Sequence, residues 1–306
     1  MKTVHLPTRK AASGFTLVEI LVSVSVLGLM MIGVAQMLNS AMSATLGGYR
    51  HMDADTQARM VLDRMAFDIS KISRRTDVDY YFQKNTGNDQ MAFFSEAGGY
   101  YPTTTTTQQS TFSLVGYRIN GSNQLERLSK GLIWNGVNNT ATPMVFGPTI
   151  GGAPTIPTEW PTIIGNSTDP DYQVIGDQVF RLEYCFLVES SYSNNPLLTV
   201  TSANLSSTPY VAPNSTYNGL QDVVAVVVSI AVLDTQSQNL ATRVNSTAMT
   251  TAAADLQDVT GATIATNQLP LTVWKSNLAT TNLGLPKAAA SQVRFYQRYC
   301  YLNHLQ

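Results

Sequence analysis

One carboxylate stands where a carboxylate is least at home. Glu19 lies inside a run that is otherwise predominantly apolar from Phe15 to Leu38, and an ionisable group held in a hydrocarbon layer needs a partner. The run follows a polar, basic stretch that carries Lys2, Arg9 and Lys10, has no acidic residue and ends on Gly14. A cut after Gly14 would give Phe15 a free α-amine roughly one helical turn from Glu19. The same amine on a neighbouring copy, in a staggered array of helices, would neutralise the carboxylate. The chemistry offered by these residues is pairing and register between helices.

Other chemistry is sparse. There are three histidines, His5, His51 and His304, and none falls where the globular bulk would need a general base. No G-x-S-x-G, P-loop, Rossmann glycine string, C-x-x-C or H-E-x-x-H spacing occurs. The expectation is a protein that is not an enzyme and has no cofactor and no metal. The nearest oxygen-rich loop is Asp169-Pro170-Asp171 with Asp177, which a hard cation could use, but it reads more simply as a solvated acidic loop. Asp77 and Asp79 read as the polar exit from a helix. A net charge of -1 supplies no basic field for a polyanion, so no nucleic-acid partner is expected. Cys185 and Cys300 sit in the similar strings Glu183-Tyr184-Cys185-Phe186 and Arg298-Tyr299-Cys300-Tyr301, both strand-like. In an oxidising compartment they could form one disulfide worth roughly 2–4 kcal/mol; the alternative is two buried thiols.

The elements that must position Glu19 follow from pattern. A cleaved secretory signal would close its apolar core with small residues, whereas here the small residue precedes the core, so the apolar helix stays with the mature chain. About 24 residues give roughly 36 Å of helix, enough to cross a membrane with positive-side-in orientation. The helical pattern continues without proline to about Arg74. Ala58, Leu62, Met65, Ile69 and Ile72 form an apolar stripe, while Asp55 with Arg59 and Arg64 with Asp68 read as surface pairs four apart. Beyond Arg75 the period becomes that of strands: Met91–Ser95, Phe112–Ile119, Gln178–Val188, Asp222–Leu233, whose nearly all-apolar Val223–Val232 is expected at the centre of a sheet, and Gln292–Leu302. In the last of these Val293, Phe295 and Tyr301 share a face. The stretches 103–110 and 148–170 read as exposed loops, and Leu271, Trp274 and Leu278 after Pro270 suggest a helix within the ambiguous segment 252–278.

The string Gly14-Phe15-Thr16-Leu17-Val18-Glu19-Ile20-Leu21-Val22 resembles the cleavage and methylation motif of type IV prepilins and type II secretion pseudopilins. The resemblance implies that Gly14 precedes the scissile bond of a prepilin peptidase, that Phe15 becomes the N-methylated first residue, and that Glu19 is the signature glutamate. Gln36 stands where major pilins carry a helix-kinking proline, which favours a minor subunit. Gln57–Ile69 resembles the end of the long helix in J-type minor pseudopilins and W-type minor pilins. Leu125-Glu126-Arg127 and Arg294–Tyr299 resemble the C type of the Verru_Chthon cassette proteins.

The implied fold is α+β and pilin-like: a leader over 1–14, a transmembrane and assembly helix over 15–38, an amphipathic continuation over 39–75, and a β-rich extracytoplasmic domain over 76–306 with an antiparallel sheet. The implied partners are the prepilin peptidase, other pilin or pseudopilin subunits, an inner-membrane assembly platform and membrane lipid. The implied place is the inner membrane, with the N-terminus cytoplasmic and the domain periplasmic, then a filament or the cell surface. A second reading from another class is a pilin-anchored adhesin or uptake receptor that binds a polymer through Tyr80, Tyr81, Tyr100, Tyr101 and Tyr192.

Overall fold

The computed structural model describes residues 14–74, 78, 80–100, 109–131, 171–188, 199–201, 220, 223–258 and 269–302. The chain divides into two units, Met1–Arg50 and His51–Gln306. The leader before Gly14, the loop 148–170, Asp77, Asp79, Tyr101, Asp169 and Tyr192 lie outside the described residues.

One helix, α1 (Leu17–Ser70), passes through the division. It stops four residues before the expected Arg74 because the next residues are claimed by a strand. The Ser73 amide donates to the Phe94 carbonyl at 2.8 Å, the Glu96 amide to the Lys71 carbonyl at 3.0 Å, and Ile72 bridges Ser95.

In the second unit, β1 (Tyr80–Gln83), β2 (Gln90–Ser95), β3 (Gly99–Tyr100), β4 (Gln109–Ser110), β5 (Ser113–Ile119), β6 (Leu125–Gly131) and β7 (Tyr172–Gly176) make the first sheet. Its order is β1-β2-β5-β6-β3-β4, with β7 also on β6. The pairings are antiparallel except for β3 with β6. The second sheet runs β11-β10-β8-β9, formed by β8 (Val179–Val188), β9 (Thr199–Thr201), β10 (Val223–Val232) and β11 (Arg294–Tyr301). As expected from its composition, β10 is central, flanked by β8 and β11, and nearly all its residues are buried. Gln109 and Ser110, read as loop, pair instead with β3.

The stripe Ala58, Leu62, Met65, Ile69 and Ile72 is buried in a core that takes residues from α1 and from both sheets. Phe82 of the first sheet meets Tyr184 and Phe186 of the second, with ring centroids 5.3 and 5.1 Å away, and stacks on Phe93 of its own sheet at 6.0 Å, which suits aromatic packing. Gly176 is required here: a Cβ on it would lie 2.9 Å from Val179 and 3.2 Å from Val61 of α1.

Between β10 and β11 the described residues of the chain form four helices: α2 (Thr235–Val244), α3 (Ala248–Asp255), α4 (Pro270–Thr280) and α5 (Lys287–Ala290). Asp234 caps α2 by accepting from the Ser237 amide at 3.1 Å, and Pro270 opens α4 as its spacing suggested. Together they build a second core around Trp274, Phe180 and Ala231 on the other face of the second sheet.

Asp68 corrects a reading of the sequence. It is fully buried, not at the surface, and accepts from Tyr117 Oη at 2.5 Å and Arg127 Nε at 2.6 Å, with Arg64 Nε 3.4 Å away. Asp55 likewise turns to Tyr296 of β11, not to Arg59. A four-residue spacing reports proximity along a helix but not what packs over it.

Of the two readings of Cys185 and Cys300, the structure has the buried thiols and not the disulfide: both are free and buried. They flank β10 on different strands, paired to Val227 and Val226 respectively. Successive strand residues face opposite sides, so the two thiols point to opposite faces and no disulfide links them.

Two outcomes follow. Replacing Asp68 with Asn leaves Arg127 without its counter-charge in the interior and should cost about 3–5 kcal/mol in urea unfolding of the detergent-solubilised chain, while Tyr117→Phe costs about 1–3 kcal/mol. Burial pushes both thiols up to about 12, so neither should react with iodoacetamide at pH 8 until urea is added, and electrophoretic mobility should not depend on reductant.

Candidate assembly site

Thr16 is the residue before the first helical position, and its side chain locks the start of α1. The Thr16 amide donates to Glu19 Oε2 at 2.9 Å, the Thr16 hydroxyl to the same oxygen at 3.0 Å, and the Glu19 amide to the Thr16 hydroxyl at 3.3 Å. This is a reciprocal capping box, T-x-x-E, which satisfies two helix-end donors that would otherwise lack partners. Glu19 therefore has a partner inside its own helix in the single chain. The role of Thr16 was not drawn from the sequence, although its spacing from Glu19 carried the signal.

Gly14 and Phe15 precede the helix. Phe15 is 85% exposed, and the large apolar side chains from Phe15 to Leu38 are all exposed, none below 46%. The segment's most apolar stretch has a mean hydropathy of 2.4. Such a continuous apolar surface is unstable in water and fits a lipid environment by length and composition. Its hydroxyls are satisfied within the helix, Ser23 donating to the Glu19 carbonyl at 2.7 Å and Ser25 to the Leu21 carbonyl at 2.8 Å, which suits a medium without water.

Other singled-out residues serve structural ends. Tyr80 and Tyr81 lie in β1 and are buried, so they offer no binding surface. Tyr100 forms part of β3. The exposed aromatic pair is instead Tyr299 and Tyr301 of β11, with centroids 6.4 Å apart. Asp171 pairs with Lys130 at 3.3 Å and Asp177 accepts from Gln57; among the described residues no group of three metal-ligating side chains gathers. His51 contacts Arg294 at 3.3 Å.

Residues 9–35 match the prokaryotic N-terminal methylation motif, a range that contains Gly14, Phe15, Thr16 and Glu19. No curated protein matches the chain. The motif, with the membrane-capable helix and the α+β unit that follows, supports a type IV pilin- or pseudopilin-like prepilin. The motif implies processing by a prepilin peptidase and assembly with other pilins, and it points to a structural subunit.

An added Cβ at Gly14 would meet nothing within 4 Å, so Gly14→Val should leave thermal unfolding unchanged. Thr16→Val, which removes the hydroxyl of the capping box, should speed amide exchange over residues 17–20 while leaving exchange in the second unit as it was.

Proposed function

We propose that this chain is a minor pilin or minor pseudopilin that enters a type IV pilus-like or type II secretion filament through its N-terminal helix. The observation that carries the reading is Glu19 at a fixed spacing from the Gly14–Phe15 junction, at the head of an apolar helix whose large side chains are exposed. In this reading residues 1–14 are a leader, 15–38 the membrane and assembly helix, 39–75 its amphipathic continuation and 76–306 the periplasmic domain. Prepilin peptidase cuts after Gly14 and Phe15 is N-methylated. On assembly the α-amine of a neighbouring Phe15 competes with Thr16 for the Glu19 carboxylate and sets the register between subunits.

Gln36 at the position of the major-pilin proline supports a minor subunit, and the resemblance of Gln57–Ile69 supports a J-type or W-type place in the assembly. The strings at Leu125–Arg127 and Arg294–Tyr299 support kinship with the C type of the Verru_Chthon cassette proteins. The inner-membrane platform and lipid are the further partners of this reading. Tyr80 and Tyr81, two of the five tyrosines behind the adhesin alternative, are core residues and do not support it.

The test is intact-mass and N-terminal analysis of the chain expressed with and without a prepilin peptidase. The expected product begins at Phe15 and carries one added methyl group, and Gly14→Val remains uncut. Glu19→Ala should be cut normally yet fail to co-purify with filaments. An uncut wild-type chain, or full incorporation of Glu19→Ala, overturns the proposal.

A further inference from the structure

A row of five charged side chains crosses the interior of the second unit and serves no part of the assembly helix. At one end is Asp89, fully buried in the turn between β1 and β2. Next comes Lys84, whose Nζ is 2.7 Å from Asp89 Oδ2 and 3.3 Å from Glu183 Oε1. Glu183 Oε2 lies 3.4 Å from Arg181 Nη2, and Arg181 pairs in turn with Asp258 just beyond α3. Arg181 and Glu183 of β8 are fully buried, and the Asp258 side chain is about one quarter exposed.

The row joins three parts of the unit. The β1–β2 turn is held to β8 by Asp89, whose carboxylate accepts from the amides of Asn85 at 3.2 Å and Tyr184 at 3.0 Å while its own amide donates to the Leu182 carbonyl at 3.0 Å. The helical insert is held by Asp258 and by Trp274 of α4. The Trp274 ring lies 5.5 Å from the Arg181 guanidinium, and its Nε1 donates to the Gln257 carbonyl at 3.2 Å.

With every carboxylate ionised the row holds three anions against two cations, in a place where unbalanced charge is costly. Within these five side chains one proton restores balance. Among the described residues the groups facing Asp89 are the Lys84 ammonium, the Glu183 carboxylate, the Tyr184 phenol and the Cys185 thiol. Burial and Asp89 together keep the Tyr184 phenol protonated, burial keeps the Cys185 thiol protonated, and neither adds charge at neutral pH. Burial works against the Lys84 ammonium, but Asp89 and Glu183 outweigh it and hold its pKa above the ordinary value, so Lys84 stays charged. The proton therefore falls on a carboxylate. Asp89 is pushed up to about 6 by burial, which with Glu183 prevails over the attraction of Lys84.

We propose that the row Asp258, Arg181, Glu183, Lys84 and Asp89 is a proton-operated latch. Holding one proton, it clamps the helical insert and the β1–β2 turn onto the second sheet; losing it, it lets them open more readily. A group whose folded pKa is raised contributes stability that is complete below its unfolded pKa and is lost as pH rises through the folded one. The window runs from the ordinary aspartate range near 4 up to about 6, so the unit is clamped in acid and looser near neutrality.

The test is hydrogen–deuterium exchange of the full chain in detergent micelles at pH 4.5 and pH 7.5, corrected for intrinsic exchange. The latch requires an opening constant for residues 84–90 and 250–258 up to about 100-fold larger at pH 7.5, two pKa steps of tenfold each. Asp89→Asn should flatten that dependence, and Glu183→Gln should do the same because it also leaves two anions against two cations. Equal protection of the wild type at both pH values, or a surviving pH dependence in a folded variant, overturns the proposal. A 13C titration of the wild-type aspartate carboxyls needs no variant: a group titrating close to pH 6 supports the latch, and ordinary midpoints for all of them overturn it.

Discussion

A helix that exposes every large apolar side chain from Phe15 to Leu38 has no stable single state in water, and the rest of α1 has to be read against that constraint. The first part satisfies Glu19 and its serine hydroxyls internally, through the capping box at Thr16 and Glu19 and through hydroxyls folded back onto carbonyls. The second part spreads its polar groups to both sides of one buried stripe. Gln57 and Asp53 reach Asp177 and Gln178 in the turn before β8, while His51, Asp55 and Asp63 reach Arg294, Tyr296 and Arg298 on β11. The apolar stripe fixes which side of the helix is buried, and the flanking polar strips oppose its rolling to either side.

Asp68 interrupts that stripe and is the costly element in it. A carboxylate between two apolar turns is tolerable only because Tyr117 and Arg127 of the first sheet arrive on it together, with Ser95 donating to its main-chain carbonyl at 2.8 Å. Apolar packing alone would accept small slips of helix against sheet; the bonds to one carboxylate oxygen do not. Specificity of docking is the property most plainly served by burying a charge there.

The sequence was legible where a local pattern has a single physical solution. A stripe repeating every three or four residues and a nearly all-apolar ten-residue strand each admit little else, and each stands as read. What was not legible depends on partners distant in the chain. Asp68 and Asp55 look like ordinary surface ion-pair members until β5, β6 and β11 are laid beside them. Cys185 and Cys300 sit in matching strings, yet the register of β8 and β11 on β10 turns them to opposite faces. The helices α2 and α3 carry no strong signal, because they are short and Thr, Ser and Asn are only middling helix formers; they are fixed by packing alanines around Trp274 and Phe180.

The helical insert shows where this chain's individuality lies. The matched motif ends at residue 35, so it accounts for delivery to the membrane and for none of the β-rich unit. Residues 233–258 and 269–293, between the two strands β10 and β11, place a second hydrophobic core on the face of the sheet turned away from α1. Neither pairing β10 with β11 nor covering α1 needs it, since both are completed by residues of the strands themselves. An element that adds its own core and tethers itself through Asp258 and Trp274 to Arg181 is a separate layer on a pilin-like frame.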